Sequence, residues 1–86
     1  MADSDAEAKK MFQAFLDEDT KRKAAPHRGT RYADDALMAL CEFLKRDANL
    51  SPKAKEEIVA KIQATNLMPY RSYCREHLLD IGITNI

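Results

Sequence analysis

Residues 32–47 read YADDALMALCEFLKRD, and this stretch decides the fold class. Ala33, Ala36, Leu37, Leu40, Cys41 and Leu44 recur at i, i+3, i+4, i+7, i+8 and i+11, which places all six on one stripe of an α-helix. Met38, Ala39 and Phe43 carry the apolar surface around most of the circumference. A helix that is apolar on so many sides is stable only with neighbours on several of them. The spacing therefore predicts a central helix over 32–47 with the rest of the chain packed around it.

On its N-terminal side, residues 24–31 (AAPHRGTR) break the rhythm. Pro26 and Gly29 interrupt a helix and the segment has nothing to bury, so it reads as a basic loop and the natural hinge. Before it, Ala8, Met11, Phe12, Phe15 and Leu16 form a second stripe. Ser4 followed by Glu7 has the layout of a capping box, which predicts a helix over 4–23. Asp5 and Glu7 at its start and Lys21, Arg22 and Lys23 at its end suit the helix dipole.

On the C-terminal side, Ser51 followed by Pro52 is a strong start signal, because proline at the first helical position lacks only an N–H that would go unbonded anyway. Ile58, Val59 and Ile62, with Ala54 and Thr65, mark a helix over 52–65. Tyr70, Tyr73, Cys74, His77, Leu78 and Ile81 mark another over 69–81, and Gly82 stands where a left-handed residue would end it. The tail, Ile83 to Ile86, is short and apolar; it either folds back or offers an exposed grip. No stretch alternates with period two, so a sheet is not expected. The expected fold is all-α: one domain over 1–86, a compact four-helix bundle with the second helix central.

Composition narrows the function. A chain of 86 residues has room for one core. Its 45% hydrophobic content is enough to pack that core. Fourteen Lys and Arg balance fourteen Asp and Glu, so the basic excess of a dedicated nucleic-acid binder is missing. The two cysteines, Cys41 and Cys74, lie inside helical patterns and not at the loop spacings of a disulfide scaffold. The start of the chain has no signal-peptide layout and no apolar run nears the ~20 residues that span a bilayer. A cytoplasmic protein without a membrane segment is expected.

Four groups of residues are candidates for chemistry. Lys21, Arg22, Lys23, Arg28 and Arg31, with His27, form an acid-free run that would suit phosphates or an acidic partner. The simpler account is a dipole-matched helix end and a solvated loop. The last two helices, joined through Asn66, Leu67 and Met68, have the form of a helix-turn-helix. In that form Arg71, Ser72 and Arg75 would point outward from the start of the fourth helix, as a recognition helix requires. Any two consecutive helices with a short link share the form, and Glu56 and Glu57 would face phosphates poorly. Cys74 and His77 stand three apart on one helix, with His27 or Cys41 able to complete a metal site. Without a CxxC or HxxxH motif, no metal or cofactor is expected. Asp34-Asp35 and Glu56-Glu57 are sequence neighbours that diverge on a helix, and no catalytic motif is present, so an enzyme is not expected.

The expected function is therefore non-enzymatic: an interaction or adaptor domain that binds another protein. Met11, Phe12, Phe15 and Leu16 of the first helix and Ile83 and Ile86 of the tail are the expected contact residues. Movement at the 24–31 hinge would allow self-association as a homo-oligomer. The alternative is a DNA-binding helix-turn-helix regulator of transcription. Phe12, Phe15, Phe43, Tyr70 and Tyr73 lie on core stripes and count as packing, whereas Tyr32 and Met68, near element ends, could equally belong to a contact surface.

Overall fold

In the computed structural model the described residues are 3–84 and 86; Met1, Ala2 and Asn85 of the predicted domain and its tail lie outside them. The elements follow in the order α1 (Ser4–Ala24), a 3₁₀ turn (Pro26–Arg28), α2 (Arg31–Arg46), α3 (Pro52–Gln63), a second 3₁₀ turn (Met68–Tyr70) and α4 (Arg71–Asp80). There is no strand among the described residues. The domain is all-α, as the periodicity predicts.

Local chemistry sets each boundary. Asp3, not Ser4, caps α1: its carboxylate accepts the Asp5 N–H at 3.0 Å. Ser4 is already helical and donates its hydroxyl to Asp47 beyond α2, at 3.0 Å. Ser51 caps α3 as expected, accepting the Ala54 N–H at 3.1 Å. It is itself held by Asp5, which accepts its N–H at 2.9 Å and its hydroxyl at 2.8 Å, so the starts of α1 and α3 are tied together. Those two bonds, the backbone one first, hold the Asp5 carboxyl below its ordinary value. α3 ends two residues short of the prediction because the N–H and the hydroxyl of Thr65 both bond the Ile62 carbonyl, at 3.0 and 2.6 Å.

α2 lies between α1 and α4, and α3 rests on α1. Ala33, Leu37, Leu40, Cys41 and Leu44 of the predicted stripe are buried and Ala36 is half-buried. Phe15, Ile58, Ile62, Tyr70, Cys74, Leu78 and Ile83 complete the core around them. The radius of gyration is 12.5 Å, near the ~12 Å expected for a packed domain of this size.

Two of the expected contact residues are used by the core itself. Phe15 is 0% exposed. Its ring meets that of Tyr70 edge-on, with centroids 5.3 Å apart. Ile83 is also 0% exposed. Gly82 has φ +92°, the left-handed backbone that ends α4. The Gly82 N–H then bonds the Leu79 carbonyl at 3.0 Å and the Ile83 N–H bonds the Leu78 carbonyl at 3.0 Å. This paired closure turns the tail back so that Ile83 joins Leu78 in the core. The described tail thus folds back, and Ile83 offers no exposed grip. Met11, Phe12, Leu16 and Ile86 are partly buried against the same core.

Candidate functional site

The six arginines divide into two sets of three. Arg22, Arg28 and Arg46 are ion-paired, with Asp19, Glu18 and Glu42 respectively. Arg31, Arg71 and Arg75 are exposed and make no such pair among the described residues.

The first set belongs mostly to the basic run of the sequence, which the fold neutralises. Lys21 reaches Glu18 at 3.3 Å, while Arg22 and Lys23 reach Asp19 at 3.2 and 3.1 Å. The 3₁₀ turn at Pro26–Arg28 brings the Arg28 guanidinium back to Glu18 at 3.1 Å and stacks it 4.5 Å over the ring of Tyr32. The i, i+3 and i, i+4 spacings of these acids were the available signal, since Glu18 and Asp19 stand just before the run. Of the five cations singled out there, only Arg31 is left unpaired among the described residues.

Asp19 also anchors a long-range junction. The Tyr70 hydroxyl donates to its carboxylate, and Arg22 Nε donates to the Tyr70 oxygen at 2.9 Å. Burial acts to raise the Asp19 carboxyl, but hydrogen bonds from Tyr70, Lys23 and Arg22 outweigh it and leave it lowered. The Tyr70 phenol is pushed up to about 12, first by burial and then by its bond to Asp19. Every polar group at this junction has a partner, so it is a structural joint with nothing left to offer a ligand.

The second set borders an open face. Thr30, Arg31, Asp34, Asp35, Met38 and Tyr73 line a groove of about 480 Å³ between the start of α2 and α4. Tyr73 stands as the ridge between this groove and another along α4, lined also by Arg71, Ser72, Arg75, Glu76 and His77. Met68 joins Arg71, Ser72 and Arg75 in an adjoining hollow, with an Arg71 guanidinium nitrogen 3.5 Å from its sulfur. Tyr73 is 70% exposed and Met68 65%.

Tyr73 is therefore not the core residue the periodicity predicts. The buried stripe of α4 is Cys74, Leu78 and Ile81, and Tyr73 lies about 100° around the helix from Cys74. Tyr70, which completed the predicted template, sits instead in the 3₁₀ turn and reaches the core from there. Arg71, Ser72 and Arg75 are exposed on the outer side of α4, as expected.

The Asp34 carboxylate in the groove is occupied. It accepts the Thr30 hydroxyl at 2.7 Å and the Cys74 thiol at 3.5 Å. Cys74 thus faces Asp34, whereas His77 turns its Nε2 to Glu42, at 3.7 Å. Those two acids are two turns apart on α2, about 12 Å along its axis, so Cys74 and His77 do not converge on a common point. Burial, assisted by Asp34, pushes the Cys74 thiol up. Burial, assisted by Glu42 and Asp80, pushes the Cys41 thiol up to about 12. At both sulfurs burial disfavours the thiolate, the form that attacks as a nucleophile.

The helix-turn-helix reading meets a different geometry from the one expected. α4 packs on α2, while α3 packs on α1. Residues 64–70, including the second 3₁₀ turn, separate the two helices.

No family model, curated protein or solved structure matches the chain. No described helix is long and apolar enough to cross a membrane.

Proposed function

We propose that this chain is a non-enzymatic protein-interaction domain whose contact face is the outer side of α4 and the adjoining start of α2. The observation that carries the reading is the exposure of Tyr73 and Met68, at 70% and 65%, on a run of connected hollows. Aromatic rings and methionines are enriched where proteins meet, because they offer large contact area and, in methionine, an adaptable shape. Of the four large apolar side chains left exposed, Tyr32, Met68, Tyr73 and Leu79, Met68 and Tyr73 border these adjoining hollows, which makes them a candidate contact patch. The contact face thus moves from the first helix and the tail to α4. Met11, Phe12, Leu16 and Ile86 serve mainly to cover the core. Two free, buried cysteines suit the reducing cytoplasm.

Photo-crosslinking tests this directly. A photoreactive amino acid placed at position 73 should form adducts with another protein in cell extract, and the same group at exposed Lys53 should not. A position-73 probe that yields no protein adduct, or the same adducts as position 53, would sink the proposal. If the adduct is a second copy of this chain, the interaction is self-association, and sedimentation should show a dimer that Tyr73→Ala dissociates.

The exposure of Arg71, Ser72 and Arg75 also keeps a second reading, DNA binding through α4. It requires that the chain retard duplex DNA at low salt and that Arg71→Ala with Arg75→Ala abolish the retardation.

A further inference from the structure

We infer that the face around Tyr73 receives an acidic protein segment, with carboxylates meeting Arg31, Arg71 and Arg75 and an apolar side chain lying beside Tyr73. This deepens the protein-binding reading above and rests on it.

The inference starts from the division of the arginines. Wherever else this chain carries an arginine, the fold supplies it with a carboxylate: Asp19 for Arg22, Glu18 for Arg28 and Glu42 for Arg46. The three that lack one among the described residues all line the two hollows that meet at Tyr73. Acids are close at hand there, yet they are not used: Asp35 and Glu76 line the same grooves without pairing to an arginine. Asp34, also in the first groove, is buried and turned to the Thr30 hydroxyl and the Cys74 thiol, so its charge lies beneath the surface that a partner meets. A guanidinium presents a planar fork of donors that matches a carboxylate in two parallel bonds, so an unpaired set of three is a template for carboxylates set at intervals.

The apolar side of the template is equally specific. Tyr73 separates Arg31 in one groove from Arg71 and Arg75 in the other, and Met38 and Met68 lie at the two ends of the run. A bound segment would therefore place acids on both sides of a greasy residue. Nucleic acid fits this surface less well. A continuous phosphate chain would meet Asp35 and Glu76 as well as the arginines, and the chain as a whole carries no net positive charge to attract it. Individual carboxylates on a peptide can be placed on the arginines and away from the two acids.

The test is selection from a random peptide library displayed on phage and panned on the full chain at low salt. Enriched peptides should carry clustered Asp or Glu next to an aromatic or aliphatic residue. Synthesised with a fluorescent label, the best of them should bind roughly tenfold more weakly to the Arg71→Gln, Arg75→Gln double variant. Tyr73→Ala should weaken it comparably, and Lys53→Gln with Lys55→Gln, on α3, should leave it unchanged. All the altered residues except Lys55, which is half-buried, are exposed. A helical circular dichroism spectrum matching that of the unaltered chain confirms that each variant is folded.

Enrichment of peptides without an acidic bias overturns the inference. So does an absence of enrichment, binding that ignores the arginine substitutions, or a duplex or single-stranded oligonucleotide that outcompetes the best acidic peptide. The two levels separate cleanly. Protein adducts at position 73 together with neutral selected peptides would retain the protein-binding reading and remove the acidic partner. A position-73 probe without adducts would remove both.

Discussion

Tyr70 and Tyr73 are three residues apart and carry the same side chain, yet one is 0% exposed and the other 70%. Around Tyr70 every charge is answered: its hydroxyl bonds Asp19, Arg22 bonds both, and Lys23 closes the remaining carboxylate oxygen. Around Tyr73 the arginines have no ion-pair partner among the described residues. The first arrangement joins α1 to the segment before α4 and is complete within the chain. The second is incomplete and gains from something added. Residue type alone separates neither the tyrosines nor the arginines; what separates them is whether the fold pairs them with an acid.

Substitutions that treat the two tyrosines alike should give opposite results. Tyr70→Ala removes a fully buried ring and should cost about 3–5 kcal/mol, read as a lower urea midpoint at unchanged slope. Since a chain of this length has a total stability of roughly 4–13 kcal/mol, that variant stands at the edge of unfolding. Tyr73→Ala should move stability by less than about 0.5 kcal/mol while weakening partner binding roughly tenfold. Equal losses of stability at the two positions would erase the contrast.

Asp19→Ala comes next in size. It leaves the Tyr70 hydroxyl without its acceptor and Arg22 with the Tyr70 oxygen alone, and should cost roughly 2 kcal/mol in the same urea assay. Asp19→Asn keeps part of the bonding and isolates the charge. In the folded chain Asp19 titrates below its ordinary value of 3.8, so its contribution is whole above that value and is lost as the pH falls from 3.8 through the folded value. Asp5 is lowered in the same direction by Ser51. Melting temperature followed from pH 5 to about pH 2 should therefore fall less steeply in Asp19→Asn than in the unaltered chain, with a residual slope from Asp5. Parallel acid limbs in the two proteins would show that the junction does not hold its charge as the geometry requires.

Gly82→Ala should cost about 1 kcal/mol, because alanine at φ +92° strains the turn that buries Ile83, although no atom lies within 4 Å of the added carbon. A thermal melt reads this as a drop of several degrees. Smallest of all should be Arg71→Gln and Arg75→Gln, which leave the melt within error because no carboxylate loses a partner.

The architecture was legible in the sequence to the extent that it depends on local periodicity and caps. The stripe of α2, the Ser51-Pro52 start of α3 and the Gly82 stop of α4 were all plain from residue order. So was the outward placement of Arg71, Ser72 and Arg75. The cap of α1 was displaced by one residue because Ser4 finds Asp47, a partner 43 positions away. Tyr73 was misplaced because the buried stripe is narrower than the full template: Cys74, Leu78 and Ile81 face the core, and Tyr73 lies on its flank. Phe15 and Ile83 read as surface or core with equal right until the core closed over them. The neutralised basic run was half legible: the Glu18 and Asp19 spacings were visible, but the return of Arg28 through the Pro26 turn and the reach of Tyr70 were not. The open face was the least legible, since it is defined by acids that fail to pair, and sequence spacing does not reveal that.

The two thiols give this small fold an internal clock. Cys41 and Cys74 are buried and held protonated well above neutral pH, so an alkylating reagent can react with them only when the seam between α2 and α4 parts. The rate of mass gain under mild labelling then reads the opening of that seam without denaturant. Occupancy of the outer face of α4, by whatever binds there, becomes measurable as a slowing of chemistry on its inner face.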